Sequence, residues 1–459
     1  MKKSYFIISL LLIIQSLLVS CEQLIETDSP NNQISIQQIF EDPQMANAAL
    51  AGLYSGLWSN SLISGGSNGM GVLLGSYADE LDCYYTGVNN GAKDIYLNQQ
   101  LPSNTLIESS WNNSYKYIYY ANSIIYGVEN SHSLQQEDRN RIKGEALLMR
   151  SLLYFYLQGI FNEVPYTTTT DHQTNAQLHK LSKDEMLQKL ESDLTDAVNL
   201  LTDDYRSPER IYPNRKVAQI MLTKVYLLTH QWLKAEMLAK EIIQSPLYQF
   251  ENDITKVFNN NGHHILWQLK PQNSLDGTQE AEIFYFSNAA PNAYALSTNL
   301  VNAFSDTDLR KSHWITTVTD NQHIWYSPVK YKNMDGTNSN EYSIIFRLEE
   351  IYFILADALA NQNKITEALP YLNATRLRAG LTSIPSTIQK NEFLDELLQE
   401  KRRELFTEFG SRFFDLKRQG LLNNLTTVKP NWKGYHNAWP LPQQELLLNP
   451  NLNPQNQGY

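Results

Sequence analysis

Apolar residues recur at three- and four-residue steps along most of the chain, and that period predicts helices. Within 39–58 the stripe runs through Ala46, Ala49, Leu50, Leu53 and Leu57. Within 111–128 it runs through Tyr115, Ile118, Tyr119, Asn122 and Ile125, and 137–159 grows dense in apolar side chains toward its end. Further helices are predicted over 182–201, 214–229, 232–244, 347–361, 364–378 and 391–409. Two stretches break the pattern. Residues 59–104 are rich in Gly, Ser, Asn and Tyr without sustained helical period, and 259–345 alternates short β-prone runs (264–269, 283–286, 323–326) with Asn, Gly and Pro turns. Long irregular segments in a compact protein usually carry binding function, so these two are where a ligand is expected.

Two of the helical stretches match each other. Residues 216–244 and 349–377 align without a gap, Leu222 meeting Leu355, Tyr226 meeting Leu359 and Ala235 meeting Ala368. Each reads as helix, tight polar turn, helix, with a small Ala where the helices cross, which is the logic of tetratricopeptide helix pairs. Such pairs bury their apolar faces only by stacking on neighbours. With two matching units, repeat-like pairs inside a domain are expected rather than a free solenoid. The fold class is therefore mainly α, with a loop-rich portion holding short strands. A single domain is expected over 33–459, its helix-pair scaffold at about 33–58, 105–258 and 346–420 and its loop-rich binding portion at about 59–104 and 259–345.

The N-terminus has a different character. Lys2 and Lys3 precede an apolar stretch over 5–19, broken by Ser9, Gln15 and Ser16. It is too short for a membrane span, which wants roughly 20 apolar residues, and fits a secretory signal peptide over 1–20. It ends Leu18-Val19-Ser20-Cys21, which resembles the lipobox of bacterial lipoproteins; by that resemblance Cys21 carries the lipid and 21–32 is a polar tether. The other cysteine, Cys83, then has no intrachain partner, which excludes a disulfide framework.

Charge narrows the function classes. The 459-residue chain has a formal charge of −11, and losing Lys2 and Lys3 with the leader makes it more acidic still. A nucleic-acid groove needs clustered Lys and Arg, so no nucleic-acid partner is expected.

Candidate chemistry mostly fails on context. Gly65-Gly66-Ser67-Asn68-Gly69 fits the spacing of a nucleophile elbow, but that motif needs a strand before it and a helix after it, and a flexible loop is expected instead. His263 and His264 are adjacent and diverge, with no accompanying zinc spacing. Asn333, Asp335, Asn338 and Asn340 surround Gly336 but lack the closing Glu of a calcium loop, so a surface turn is expected. Asp79 and Glu80 raise the carboxylate pair of a glycoside hydrolase; helix capping or solvent contact is the expected role. No catalytic residue, metal or cofactor is predicted. The productive signal is aromatic: of 27 Tyr, 16 Phe and 8 Trp, many lie outside the helical period. A sugar presents a CH-rich face to a ring and hydroxyls to amides. Tyr84 and Tyr85 stand near Asn89 and Asn90, Tyr294 follows Asn292, and Trp325 and Tyr326 follow a polar run; these seven residues (Tyr84, Tyr85, Asn89, Asn90, Tyr294, Trp325, Tyr326) are the candidate ligand contacts. Trp111 and Trp314 are expected in the core, and Trp58 is ambiguous.

Several separated segments, in chain order, resemble the SusD/RagB family of nutrient-binding lipoproteins. KGEALLMRSLLYFYLQGIFNEVP (143–165) is similar to the family's long helix ending before a proline. LSTNLVNAFSDTDLRKSHWI (296–315) is similar to its Phe…Asp-x-Arg segment through Phe304, Asp308 and Arg310. IIFRLEEIYFILADAL resembles its Arg-Leu-x-Glu helix through Arg347, Glu350 and Asp357. EKRRELFTEFGSRFFDLKRQG (400–420) resembles its Arg-Arg-x-Glu-Leu…Arg-Phe-Phe-Asp-Leu signature, and WPLPQQELLLNPNLNPQNQGY resembles its C-terminal ending. Within these segments Arg402, Arg403, Glu404, Arg412 and Asp415 are charges in otherwise apolar sequence. They are read as a paired packing network, with ligand contact as the other reading. The resemblance implies a lipoprotein on the outer membrane, facing the exterior, that binds oligosaccharide and delivers it to a SusC-type TonB-dependent transporter. Peptide cargo, as in the RagB branch, is the alternative, and a surface hydrolase a third class. The zones 59–104, 165–181 and much of 259–345 match no shared motif.

Overall fold

The computed structural model describes residues 36–87, 91–320 and 322–459. The predicted signal peptide, lipidated Cys21 and tether, and the candidate contacts Asn89 and Asn90, lie outside the described residues. Helices of eight residues or more are α1 (Pro43–Asn60), α2 (Met70–Tyr77), α3 (Thr105–Glu129), α4 (Gln136–Phe161), α5 (Lys183–Leu200), α6 (Arg215–Leu228), α7 (Trp232–Ile243), α8 (Leu348–Asn361), α9 (Ile365–Arg378), α10 (Lys390–Glu404) and α11 (Ser411–Arg418). From α3 to α11 each packs on the next, so α3 through α10 form a continuous stack around the main apolar cluster.

Local chemistry sets where these helices start. Asp42 caps α1 by accepting from the Gln44 and Met45 amides at 2.7 and 3.0 Å, and Pro43 needs no partner at the first helical position. This moves the start of the first predicted helix from 39 to 43; Ile36–Phe40 forms a separate short helix. Ser182 and Glu185 form a capping box on α5, and Asn104 and Asn214 cap α3 and α6.

The matched segments share a geometry. His230 and Asn363, equivalent in the alignment, both take positive φ, at 57° and 62°. One residue on, the amides of Gln231 and Lys364 both return 2.9 Å bonds, to the Tyr226 and Leu359 carbonyls, which are again equivalent positions. Ala235 and Ala368 are fully buried. The second helix of the first unit, α7, packs on the first helix of the second, α8. The pairs thus lie side by side although 104 residues separate the two segments in sequence.

Three expectations are corrected. Residues 59–104 contain α2, whose eight residues are all buried; a helix apolar all round carries no amphipathic period. The run 283–286 is the end of a short helix, Gln279–Phe284, started by Thr278, whose hydroxyl accepts from the Ala281 amide. α10 stops at Glu404 rather than 409 because the Glu404 and Phe406 carbonyls bond Lys330 Nζ at 2.9 and 2.8 Å, after which Thr407 and Phe409 take positive φ.

Among the described residues eight short strands complete the fold: β1 (Leu81–Cys83), β2 (Val164–Pro165), β3 (Lys180–Leu181), β4 (Ile265–Leu269), β5 (Tyr294–Leu296), β6 (Ile315–Thr319), β7 (Ile324–Pro328) and β8 (Ser343–Arg347). They pair antiparallel as β1–β5, β2–β3, β4–β8 and β6–β7. The strands β4 and β7 fall within or beside the predicted runs 264–269 and 323–326. A second apolar cluster, holding Val257, Phe304, Trp314 and Phe406, lies beneath this portion. Trp111 and Trp314 are core residues, each 2% exposed, and Trp58 is half-buried. Among the described residues no helix is long and apolar enough to cross a membrane.

Candidate functional site

Sequence-distant charges meet under the short strands. Arg310, fully buried, bonds Asp308 at 2.8 Å, Glu400 at 2.7 Å and Glu404 at 3.2 Å. Glu404 also accepts from Arg347 at 2.6 Å and Arg378 at 2.5 Å. Burial alone drives a carboxyl's pKa upward, but Arg378, Arg347 and Arg310 outweigh it and hold Glu404 far below its ordinary value. These are segments 296–315, 344–359 and 400–420 joined by ion pairs. Arg402 and Arg412 form a second buried cluster. Both bond Asp79, Arg412 through two nitrogens at 3.0 and 3.1 Å and Arg402 at 2.9 Å. Asp79 therefore neither caps a helix nor meets solvent, and the two arginines keep it ionised against its burial.

Asp79 is the base from which the candidate site is built. Its carbonyl accepts from Ser297 Oγ at 2.7 Å, and the Ser297 amide donates to the Glu80 carbonyl at 2.8 Å. These two bonds set the register of β1 on β5, Leu81 opposite Leu296 and Cys83 opposite Tyr294. The Tyr84 amide then reaches the Ala293 carbonyl at 2.8 Å, continuing the ladder. β5 in turn packs on β7. The strands are short and sit on opposite sides of a 200-residue separation, so their alignment depends on the anchored residues at their ends.

These contacts bring five of the seven candidate residues onto neighbouring strands, divided between the two faces: Tyr84 and Trp325 on one, Tyr85, Tyr294 and Tyr326 on the other. Tyr85 meets Tyr294 edge-on, centroids 5.5 Å apart at 87°. Tyr84 packs with Phe286 against Ala295, Val318 and Trp325. Tyr326 is half-buried against the second cluster. Exposure separates their roles. Tyr294 is 1% exposed and Trp325 8%, so Trp325 backs Tyr84 on one face and Tyr294 backs Tyr85 on the other, while Tyr84, Tyr85 and Tyr326 present partly open rings. Burial pushes the phenols of Tyr84 and Tyr85 up, and that of Tyr294 much further. The Tyr294 hydroxyl is buried with no hydrogen-bond partner among the described residues.

His323 is a member of the patch that sequence reading missed. Its ring stacks on Trp325, 5.4 Å between centroids at 23°. The signal was the spacing: residues i and i+2 of a strand share a face. Phe286, read as a strand end, was missed as well.

The other motifs resolve structurally. The Gly65–Gly69 turn joins two helices, not a strand to a helix, and Ser67 is exposed. Gly69 is required there, since a Cβ would stand 1.8 Å from the Ser64 carbonyl oxygen. His264 is fully buried and bonds the Val257 carbonyl at 2.9 Å. Asn338 and Asp335 tie their turn to 276–277, Asn338 Nδ2 donating to the Asp276 carbonyl at 2.8 Å and Asp335 accepting from the Gly277 amide at 2.6 Å. Among the described residues no three His, Cys, Asp or Glu stand together as a metal site. What the patch offers a ligand is a set of ring faces over polar backbone.

Known proteins share this architecture. Residues 76–227 match a SusD-like family described as starch-binding and associating with the outer membrane, and 302–459 match the SusD family proper. A SusD-like protein of Formosa agariphila is 24% identical over an alignment covering 94% of this chain and 95% of its own. Among solved structures, a SusD superfamily protein from Bacteroides vulgatus superposes with a TM-score of 0.80 at 22% identity, covering 92% of this chain and 100% of its own. The surface glycan-binding protein A of Bacteroides thetaiotaomicron, in complex with laminarihexaose, gives 0.76 at 17%, covering 90% and 99%. With two matched regions spanning about two thirds of the sequence, the chain belongs to the SusD/RagB family.

Proposed function

We propose that the chain is a lipid-anchored outer-membrane protein that binds oligosaccharide at the cell surface and passes it to a SusC-type TonB-dependent transporter. The observation that carries the reading is a pair of backed, partly exposed rings on the strands held by the Asp79 anchor: Tyr84 packed with Trp325 on one face, and Tyr85 edge-on to Tyr294 on the other. Partly exposed rings fixed from below suit the CH face of a pyranose, and the glycan bound by the Bacteroides thetaiotaomicron relative supports a carbohydrate cargo. The proposed anchor is Cys21, with the polar stretch behind it as a tether; two acyl chains suffice for stable membrane attachment. Delivery demands easy release, so weak binding suffices; a millimolar Kd is about −4 kcal/mol.

The test is affinity electrophoresis of the soluble chain, begun after Cys21, through gels cast with laminarin, starch and xylan, beside calorimetry with mixed peptides. Retention by at least one glycan, weakened by Tyr84→Ala with Tyr85→Ala, is the expected result. Heat from peptides with no glycan retention transfers the delivery role to peptide cargo.

A further inference from the structure

A second concave surface lies away from the ring faces, at the base of the β6–β7 hairpin. Its volume is about 300 Å³, between 254–259, 313–314 and 329–341. Its floor is apolar, formed by Ile254, Phe258 and Trp314, and the Trp314 indole N–H is already spent on the Ile254 carbonyl at 3.1 Å. Its rim is a relay of three side-chain amides. Asn333 Nδ2 donates to Asn340 Oδ1 at 2.6 Å, and Asn340 Nδ2 donates to Asn259 Oδ1 at 3.3 Å. The relay therefore ends in an open acceptor, Asn333 Oδ1, and an open donor, Asn259 Nδ2. Neither has a partner among the described residues. Lys332, exposed and without an ion pair among the described residues, stands on the same rim.

The rim is fixed before any ligand arrives. Glu341 Oε2 accepts from the Lys332 and Asn333 amides, both at 3.0 Å, and Asn338 bonds the Glu341 backbone on both sides, at 2.9 and 2.8 Å. The Asn260 amide joins the opposite wall to the Asn340 carbonyl at 2.7 Å. Side chains ordered in advance lower the entropy a ligand must lose.

We propose that this cleft binds a sugar unit through its hydroxyls, as a carbohydrate contact distinct from the ring patch; the proposal rests on the glycan reading above. Vicinal hydroxyls both donate and accept, and a polarised amide relay supplies one open group of each kind. The one acid on the rim, Glu341, is occupied by backbone amides, which disfavours a cation. The walls are turns, with no strand edge on which a peptide would extend a ladder.

The test uses the same laminarin, starch and xylan gels with Asn333→Ala/Asn340→Ala, with Asn259→Ala alone, and with Tyr84→Ala/Tyr85→Ala. Asn259→Ala removes only the 3.3 Å bond from Asn340 and none of the bonds within the 332–341 turn, so it reports on the site if the double variant unfolds. Retention of polysaccharide should fall roughly tenfold in either amide variant, as expected for loss of one of two linked contacts, with unfolding temperatures unchanged. Full retention in both amide variants, alongside loss in the tyrosine variant, overturns the second site and leaves the ring patch standing. Retention of the parent by none of the three glycans overturns both, and calorimetric peptide binding that the amide variants weaken makes the cleft a peptide site.

Discussion

Glu80 provides a sharp test of how the strand anchor is built. It is 1% exposed, and neither carboxylate oxygen has a hydrogen-bond partner among the described residues. Burial, and then the charge of Asp79 beside it, raise its pKa from 4.5 to about 7. One pKa unit is about 1.4 kcal/mol. A folded value above the unfolded one means that the folded chain keeps this proton between pH 4.5 and 7 while the unfolded chain has lost it. The stabilisation is present at low pH and disappears as pH rises through 7. Worked from these two values, the stability lost to this titration, relative to low pH, is below about 1 kcal/mol at pH 5 and roughly 3 kcal/mol at pH 8. Glu80→Gln removes that charge. Urea unfolding of parent and variant at pH 5, 6, 7 and 8, followed by circular dichroism, cancels the titration that the two share. The stability of the variant relative to the parent should climb by about 2 kcal/mol across the series. Parallel curves would refute the reasoning, since they would mean that Glu80 is solvated or paired.

Three further outcomes are expected. Arg310→Met leaves Asp308, Glu400 and Glu404 without their shared cation and should destabilise the fold by about 3–5 kcal/mol in urea melts; an unchanged midpoint would show that the network is not a packing element. Gly71→Ala places a Cβ 2.2 Å from the Thr407 carbonyl oxygen, so backbone must move and the unfolding temperature should fall by several degrees. Cys21→Ala should leave the chain folded but released from membranes, which fractionation with immunoblotting reads directly; continued pelleting counts against the anchor.

The long helices were legible because one face of each is apolar; α4 to α9 fall within two residues of their predicted bounds, and α3 starts six residues before its own. α2 was not, because burial on every side erases the periodic contrast. The end of α10 was hidden because Lys330, 74 residues away from Glu404, takes the carbonyls that local sequence would assign to the helix. Of the candidate contacts, Tyr84, Tyr85 and Tyr326 were recognisable as rings outside the helical period. That Tyr294 and Trp325 lie beneath them was not, since the β1–β5 pairing joins segments more than 200 residues apart. The charges of 400–420 were read as a network from their apolar surroundings, and the structure adds their partners: Asp79 for Arg402 and Arg412, and Arg310, Arg347 and Arg378 for Glu404. Asp79 in particular looked like a surface acid, because both its arginines come from the far end of the chain.

The most direct measurement is a crystal structure of the chain begun after Cys21, soaked with an oligosaccharide it retains in gels. Sugar density lying against Tyr84, Tyr85 or Tyr326 is the outcome the account predicts. Density confined to some other surface, with these rings bare and unmoved, would contradict it.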